Sequence, residues 1–211
     1  MSDILCVTNR SLCREDFLTR LERIAAAGPT GVILREKDLS PEAYHALAER
    51  VLAVCRAHGV PCILHSFPAV ARELGAEGLH LPLPLLRALS QEERHSFRVL
   101  GASCHSVAEA REAEALGCTY ITAGHVFATD CKKGLTPRGL PFLREVCRAV
   151  TIPVWAIGGI APENLSPVLA AGARGGCVMS GLMACPDPSA LLAAFDNAPG
   201  RVSGADTALT S

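Results

Sequence analysis

The amino-acid sequence predicts an α/β protein that folds as a single-domain (β/α)8 TIM barrel, and three observations support this. Short runs rich in β-branched residues alternate along the 211-residue chain with longer helical stretches, the pattern of parallel strands joined by helical crossovers. Eight such units occur within about 200 residues, the small end of the size range for these barrels. No GxGxxG sequence follows the first run, which disfavours the alternative, a doubly wound open sheet.

The predicted strands are short apolar runs, as expected of buried parallel strands. In chain order they are Ile4–Thr8, Gly31–Arg35, Pro61–His65, Gly78–Leu81, Val99–Ser103, Thr119–Ala123, Val154–Ile157 and Gly176–Met179.

The predicted helices lie between the strands and are amphipathic or rich in Ala and Leu. Several end in a glycine that suits the left-handed position just past a helix. They are Cys13–Ala27, Pro41–His58, Pro68–Leu74, Val107–Leu116, Leu140–Val150, Pro162–Ala171 and Pro188–Phe195. A weaker piece, Pro84–Leu89, precedes a turn that opens at Ser90 in capping-box fashion. We expect one domain over residues 1–198 and a disordered, polar tail over residues 199–211.

Composition excludes several classes of function. The net charge of −1 gives no basic field for nucleic acid or a membrane surface, and 4% aromatic residues offer few base-stacking platforms. No apolar run approaches the roughly 18 residues that suggest a membrane span. The amino-terminal residues lack the order of a signal peptide, so we expect a cytoplasmic protein. None of the ten cysteines forms a CxxC pair, which favours reduced, mostly buried thiols.

The segment from Thr119 to Leu140 carries the densest functional signal. A predicted strand is followed by about fifteen residues of polar loop, longer than ordinary connections. The loop contains His125, Lys132 and Lys133, together with hydroxyl groups and glycines. An imidazole beside cations and hydroxyls suits acid–base chemistry on an anionic substrate. On composition alone, a solvated surface loop remains an equal alternative.

Two glycine-containing turns follow predicted strands 7 and 8, where such barrels often bind phosphate. Gly158–Gly159 and Ser180–Gly181 could bring backbone N–H groups close to an anion. Two glycines that merely turn a strand into a helix are the alternative interpretation.

Arg35 and Lys37 alternate along one predicted strand, so both side chains can point into the barrel mouth. An anionic substrate group would satisfy these cations. A structural network with Glu36 and Asp38 is the other possibility.

Histidines stand at the ends of four successive predicted strands, at positions 65, 80, 105 and 125. They form no HxH or HxxxH pair, and the nearby acidic residues are poorly placed as co-ligands. We therefore expect no metal site.

Six segments together resemble the thiamine phosphate synthase/TenI superfamily of (β/α)8 barrels over about residues 4–197. They are ILREKD (33–38), AEGLHLP (76–82), GASCHS (101–106), AGHVFATDCKKGL (123–135), PVWAIGGI (153–160) and VMSGLM (178–183).

Within the superfamily, local departures favour the TenI branch. Synthases join a pyrimidine diphosphate to a thiazole phosphate with Mg²⁺ held by aspartates after strands 3 and 4. Here those positions read His65–Ser66 and Pro82–Leu83–Pro84, and Mg²⁺ prefers oxygen ligands. His125 also stands where synthases usually have proline.

The resemblance to TenI implies a thiazole tautomerase, an isomerase that makes a carboxythiazole phosphate aromatic without any cofactor. His125 would be the catalytic acid and base, and a small phosphorylated thiazole the ligand of a possible homo-oligomer. The implied substrate-binding set is Arg35, Lys37, Ser103, Thr129, Asp130, Cys131, Lys132, Gly158, Gly159, Met179, Ser180 and Gly181. Thiamine phosphate synthase and a non-catalytic binder of a thiamine precursor are the alternatives.

Overall fold

In the computed structural model, which describes residues 2–129, 132 and 134–198, eight parallel strands close into one barrel. Each strand pairs with the next along the chain, and the last pairs with the first through Ile4 and Gly176. The (β/α)8 prediction is confirmed. The strands are β1 (Ser2–Val7), β2 (Pro29–Leu34), β3 (Cys62–His65), β4 (Gly78–Pro82), β5 (Val99–Cys104), β6 (Tyr120–Gly124), β7 (Val154–Ile157) and β8 (Gly175–Val178).

Helices cover the outside of the barrel. Over the described residues they are α1 (Phe17–Ala26), α2 (Pro41–Ala57), α3 (Pro68–Glu73), α4 (Leu83–Ala88), α5 (Gln91–His95), α6 (Val107–Ala115), α7 (Gly139–Ala149), α8 (Pro162–Ala170), α9 (Ser180–Ala184) and α10 (Pro188–Asp196). None of these described helices has both the length and the apolar character that a membrane span requires.

Side-chain caps set where several helices begin. The helix predicted from Cys13 begins four residues later, because the Asp16 carboxylate accepts hydrogen bonds from the backbone N–H groups of Leu18 and Thr19. The capping box predicted at Ser90 is present, with Glu93 completing it at the start of α5. Each cap satisfies backbone donors that a helix end leaves unpaired.

Apolar side chains form two layers. The larger layer packs between strands and helices and includes Leu21, Val51 and Phe195. The smaller layer fills the barrel interior with Leu5, Ile33, Tyr120, Trp155 and neighbours. Because side chains alternate across each strand, the same strands supply both layers, and polar groups beyond the inner layer face the mouth of the barrel.

Candidate functional site

A cavity of about 340 Å³ opens at the carboxyl end of the barrel, the end at which such barrels carry their active sites. Its lining includes every described residue of the predicted site, namely Arg35, Lys37, Ser103, His125, Thr129, Lys132, Gly158, Gly159, Met179, Ser180 and Gly181. The predicted residues Asp130 and Cys131 lie outside the described part of the chain.

Arg35 and Lys37 reach this cavity from a loop, since β2 ends at Leu34 rather than at Arg35. Between them, Glu36 turns away and is buried. Its carboxylate accepts hydrogen bonds from the Thr8 hydroxyl at 2.7 Å and from the Arg10 backbone N–H at 3.0 Å. The Thr8 hydroxyl also accepts a bond from the Arg35 N–H at 2.9 Å. This buried network fixes the loop that carries both cations.

The acidic neighbours of this loop pair with Arg10 rather than with Arg35 or Lys37. Asp38 and Glu36 both bind the Arg10 guanidinium. Among the described residues, no carboxylate lies within ion-pair distance of Arg35 or Lys37. The structural network considered for these acids therefore exists, but its cation is Arg10.

The cations of the cavity repel one another. Partial burial lowers the pKa of Lys37, and the positive charges of Arg35 and Lys132 lower it further. A cavity wall in which like charges face each other is stabilised by an anionic ligand.

Gly158 and Gly159 both adopt positive φ, at 100° and 67°. A Cβ at Gly158 would lie 2.4 Å from the His125 Cβ, and one at Gly159 would lie 2.5 Å from the Ala128 carbonyl oxygen. The glycines are therefore required by the close passage of the loop after β6. Both glycines also line the cavity. Their role in binding a phosphate group stays a prediction.

The loop after strand β8 turns directly into the short helix α9, as expected for Ser180–Gly181. Ser180 and Gly181 are exposed at its start, and Met179 precedes them half-buried. All three residues line the cavity.

His125 lies at the base of the loop after β6. Its carbonyl oxygen accepts a bond from the Arg138 N–H at 3.0 Å, and the Val126 N–H donates to the Ile157 carbonyl oxygen at 2.9 Å. The half-buried imidazole lines the cavity, with Nε2 3.4 Å from the Leu135 carbonyl oxygen. The backbone thus holds the ring at the wall of the site.

The predicted binding set omits three polar residues on the floor of the cavity. His65, His80 and Thr122 are almost fully buried and line it. Alternation along β6 places Thr122 on the same side as Tyr120 and could have identified it. Burial lowers the pKa of His65 to about 2 and that of His80 to about 3, with nearby Lys37 contributing to both. Both imidazoles are therefore neutral at physiological pH.

The positions at which the resemblance implies magnesium-binding aspartates do not fit Mg²⁺. They carry His65, Ser66 and the apolar Pro82–Leu83–Pro84 segment. Among the described residues, no group of three His, Cys, Asp or Glu side chains could hold a metal ion. A hard cation prefers carboxylate and carbonyl oxygens over neutral imidazole, so no chemical step is assigned to a magnesium ion here.

Several curated relatives of this chain are named thiamine-phosphate synthase. A family model described as thiamine monophosphate synthase matches residues 4–182. A thiamine-phosphate synthase of Roseiflexus castenholzii is 36% identical over 194 residues, which cover 89% of this chain and 83% of the relative. Thiamine-phosphate synthase 2 of Streptococcus pneumoniae is 34% identical over 186 residues, covering 86% and 87%. The solved thiamine phosphate pyrophosphorylase of Pyrococcus furiosus superposes with a TM-score of 0.80 at 28% identity, covering 92% and 93%.

These relatives overturn part of the sequence-based interpretation. They are named thiamine-phosphate synthases, so the assignment to the TenI branch is not supported. The predictions of a thiazole tautomerase and of isomerase activity are wrong, since the similar proteins are transferases. The branch assignment rested on a few local positions, chiefly His65, Pro82 and His125, and such substitutions alone do not determine which reaction a shared fold performs.

The similarity extends over the part of the chain that builds the cavity. The match with the family model begins in β1 and ends in α9, so it contains all eight strands and both glycine-containing turns. The fold of the Pyrococcus furiosus protein agrees over nearly the full length of both chains. The chain therefore belongs to the thiamine monophosphate synthase family.

Proposed function

We propose that this protein is a transferase of the thiamine-phosphate synthase type, which joins a pyrimidine diphosphate to a thiazole phosphate and releases diphosphate. The proposal draws on relatives with that name at 34–36% identity across most of their length. Both substrates are anionic, and a cavity of about 340 Å³ is within the usual size range of small-molecule sites.

The observation that carries the proposal is the cluster of positive charges in the cavity, for which the described residues provide no carboxylate partner. Arg35, Lys37 and Lys132 line the cavity together, and like-charge repulsion contributes to the lowered pKa of Lys37. A diphosphate group would supply the missing negative charge. Arginine also suits bidentate contact with phosphate oxygens.

This reaction requires the protein to stabilise a leaving group. The bond between the pyrimidine and its diphosphate breaks, the diphosphate departs with the bonding electrons, and the pyrimidine carbon forms its new bond to the thiazole. Negative charge grows on the departing diphosphate during this step. Prearranged cations at that point lower the barrier because they stabilise the transition state more than the substrate. Arg35, Lys37 and Lys132 are the residues proposed for this role.

The thiazole phosphate would contact the loops after β7 and β8. Gly158, Gly159, Ser180 and Gly181 offer a surface with little side-chain bulk there, and Met179 contributes an apolar contact. His125 and Thr129 line the cavity from the loop after β6, which also carries Lys132, and are proposed to contact the substrate. The proton-shuttling role first predicted for His125 belonged to the tautomerase and is not carried over.

The experiment that tests this proposal measures turnover and binding on the same preparation. Purified protein is incubated with both substrates over a Mg²⁺ series that includes a chelator, and thiamine phosphate is quantified. Thiazole phosphate binding is titrated separately. Formation of thiamine phosphate supports the proposal. Tight binding of both precursors without product at any Mg²⁺ concentration overturns it.

One observation favours a second candidate function, a non-catalytic binder of a thiamine precursor. The positions that hold aspartates in synthases carry His65–Ser66 and Pro82–Pro84. A protein with this role would retain the cationic cavity and tolerate loss of His125. Binding without turnover, unchanged in His125→Ala, is the result that would select it.

A further inference from the structure

A buried chain of hydrogen bonds runs from the barrel interior to the cavity. The Tyr120 hydroxyl lies 2.8 Å from His80 Nδ1, and His80 Nε2 lies 2.9 Å from the Ser103 hydroxyl. Tyr120 is wholly buried and His80 is 2% exposed, whereas Ser103 is half-buried and lines the cavity. These hydrogen bonds therefore begin at a group without solvent contact and end at one that lines the cavity.

The strand register and one glycine create this chain. His80 on β4, Gly101 on β5 and Tyr120 on β6 lie in the same row across the sheet. A Cβ at Gly101 would lie 2.2 Å from the Tyr120 ring. Because Gly101 lacks a side chain, the Tyr120 ring extends over β5 and reaches the imidazole on β4.

Counting protons assigns a direction to each bond. A neutral imidazole carries one N–H, and burial keeps the pKa of His80 at about 3. If Nδ1 carried the proton, it would donate to Tyr120, and the tyrosine hydrogen would need another acceptor. The Tyr120 hydroxyl has no other partner among the described residues. A buried donor without a partner is costly, so Tyr120 donates to Nδ1 and Nε2–H donates to Ser103.

This direction leaves the Ser103 hydrogen available. With its oxygen accepting from His80, the hydroxyl has no further partner in the described part of the chain. Its hydrogen is directed to the cavity, where Arg35, Lys37 and Lys132 favour an anionic oxygen.

We propose that Tyr120 and His80 are positioning residues that fix Ser103 as a hydrogen-bond donor to an anionic oxygen of the bound substrate. The direction of the chain follows from the hydrogen-bond geometry and the burial of a neutral His80, whereas the assignment of that oxygen to a diphosphate or phosphate group rests on the proposed function. A serine hydroxyl that rotates freely can accept a hydrogen bond as readily as it can donate one. When its oxygen already accepts from His80, the hydroxyl favours ligand groups that accept a hydrogen bond and disfavours those that can only donate one.

The first measurement identifies the tautomer of His80. Two-dimensional nuclear magnetic resonance of protein with ¹⁵N-labelled histidine distinguishes a protonated from an unprotonated ring nitrogen. We expect His80 as a single neutral tautomer with the proton on Nε2. A proton on Nδ1 in the wild-type protein overturns the proposal.

The second measurement is a double-mutant cycle on the binding of inorganic diphosphate. Ser103→Ala removes the donor, and Tyr120→Phe removes the group that orients it. Each change should raise the Kd about tenfold, as for one hydrogen bond to a charged group. In the double variant, the second change should add little, because both act through the same hydroxyl. Effects that multiply would refute the chain.

Tyr44→Phe is the matched control. Tyr44 is also wholly buried, and its hydroxyl bonds to the Leu34 carbonyl and the His65 N–H, but it does not line the cavity. It should leave the Kd for diphosphate unchanged, and an equal loss of affinity would refute a specific role for Tyr120. If Tyr120→Phe fails to fold, the tautomer of the wild-type protein still decides. Neither measurement requires turnover, so an inactive protein with the expected tautomer and cycle would refute only the proposed function.

Discussion

Replacement of Lys37 by glutamine should weaken diphosphate binding and abolish a proton uptake that accompanies it. In the free protein, partial burial and the neighbouring charges of Arg35 and Lys132 lower the pKa of Lys37. A bound diphosphate brings negative charge to the same wall and raises that pKa again. The complex therefore holds more protons than the free protein at alkaline pH, and affinity falls as pH rises through the lowered pKa of Lys37.

The size of the effect follows from the position of the ammonium group. A hydrogen bond to a charged partner contributes about 1.5–3 kcal/mol. The Lys37 side chain is exposed at the cavity mouth, and solvent screens its charge, so we take the low end, about 1.5 kcal/mol. Lys37→Gln should therefore raise the Kd for inorganic diphosphate about tenfold.

Isothermal titration calorimetry measures both quantities. The titration is run in two buffers with different ionisation enthalpies, at alkaline pH below the ordinary lysine pKa of about 10.4. A difference in apparent enthalpy between the buffers reports the protons taken up. Arg98→Gln is the control, because Arg98 pairs with Glu77 on the surface and adjoins the amino-terminal ends of β4 and β5, the opposite end of the barrel. Its affinity and proton uptake should match those of the wild type.

Two results would refute the reasoning. If the Lys37→Gln variant bound diphosphate as tightly as the wild type, the Lys37 ammonium group would not contact the anion. If the wild type bound diphosphate with no buffer-dependent enthalpy at alkaline pH, the lowered Lys37 pKa would be unconnected with the ligand.

Three further predictions concern stability and positioning. Because the pKa values of His65 and His80 lie far below the unfolded value of about 6.5, the unfolded chain binds more protons as pH falls below that value. Each histidine should therefore lower the unfolding free energy by about 2 kcal/mol when the pH falls to 5. Urea titration at several pH values measures this loss. Gly101→Ala should destabilise the fold by about 3 kcal/mol, the upper end for overpacking, because the new methyl group would overlap Tyr120. Glu36→Gln should lower the unfolding free energy measured with urea by about 2 kcal/mol, because it weakens hydrogen bonds to a charged acceptor, and it should also raise the Kd for diphosphate.

Matched variants separate these causes. His65→Asn should remove about half of the extra acid sensitivity, and a stability that stays level between pH 6.5 and pH 5 would contradict the assigned burial. Ala102→Gly, at the next position of the same strand, controls for a change in backbone conformational freedom. If it lowered the unfolding free energy as much as Gly101→Ala or more, overlap with Tyr120 would not explain the effect at Gly101. A Glu36→Gln protein that binds diphosphate with wild-type affinity would show that the loop needs no such anchor.

The alternation of strands and helices was sufficient to predict the barrel, because each strand is buried on both faces and reads as an apolar run. The ends of helices are harder to predict where a side-chain cap determines them. The first helix begins at Phe17 because Asp16 caps it, although the apolar pattern extends back to Cys13. The apolar pattern predicts that the second strand reaches Arg35, whereas β2 ends at Leu34, since a strand end depends on its partner strand and not on composition alone.

The described residues of the predicted site lie at the carboxyl ends of strands or in the loops that follow them, where the barrel itself dictates the location of chemistry. What sequence alone could not supply was the pairing between strands. The bond from Tyr120 to His80 crosses β5, so it appears only when the register is known. Likewise, the sequence suggests Arg35 or Lys37 as the partner of Glu36, and the fold pairs it with Arg10 instead.

The central claim is that this cavity joins two phosphorylated precursors, and the products of one reaction test it most directly. Protein is mixed with pyrimidine diphosphate and thiazole phosphate, at a concentration similar to theirs. Released diphosphate and thiamine phosphate are then quantified in the same samples. We predict that both products appear in equal amounts and that Arg35→Gln slows both together. Diphosphate released without thiamine phosphate, or no product from protein that has bound both precursors, would contradict the claim.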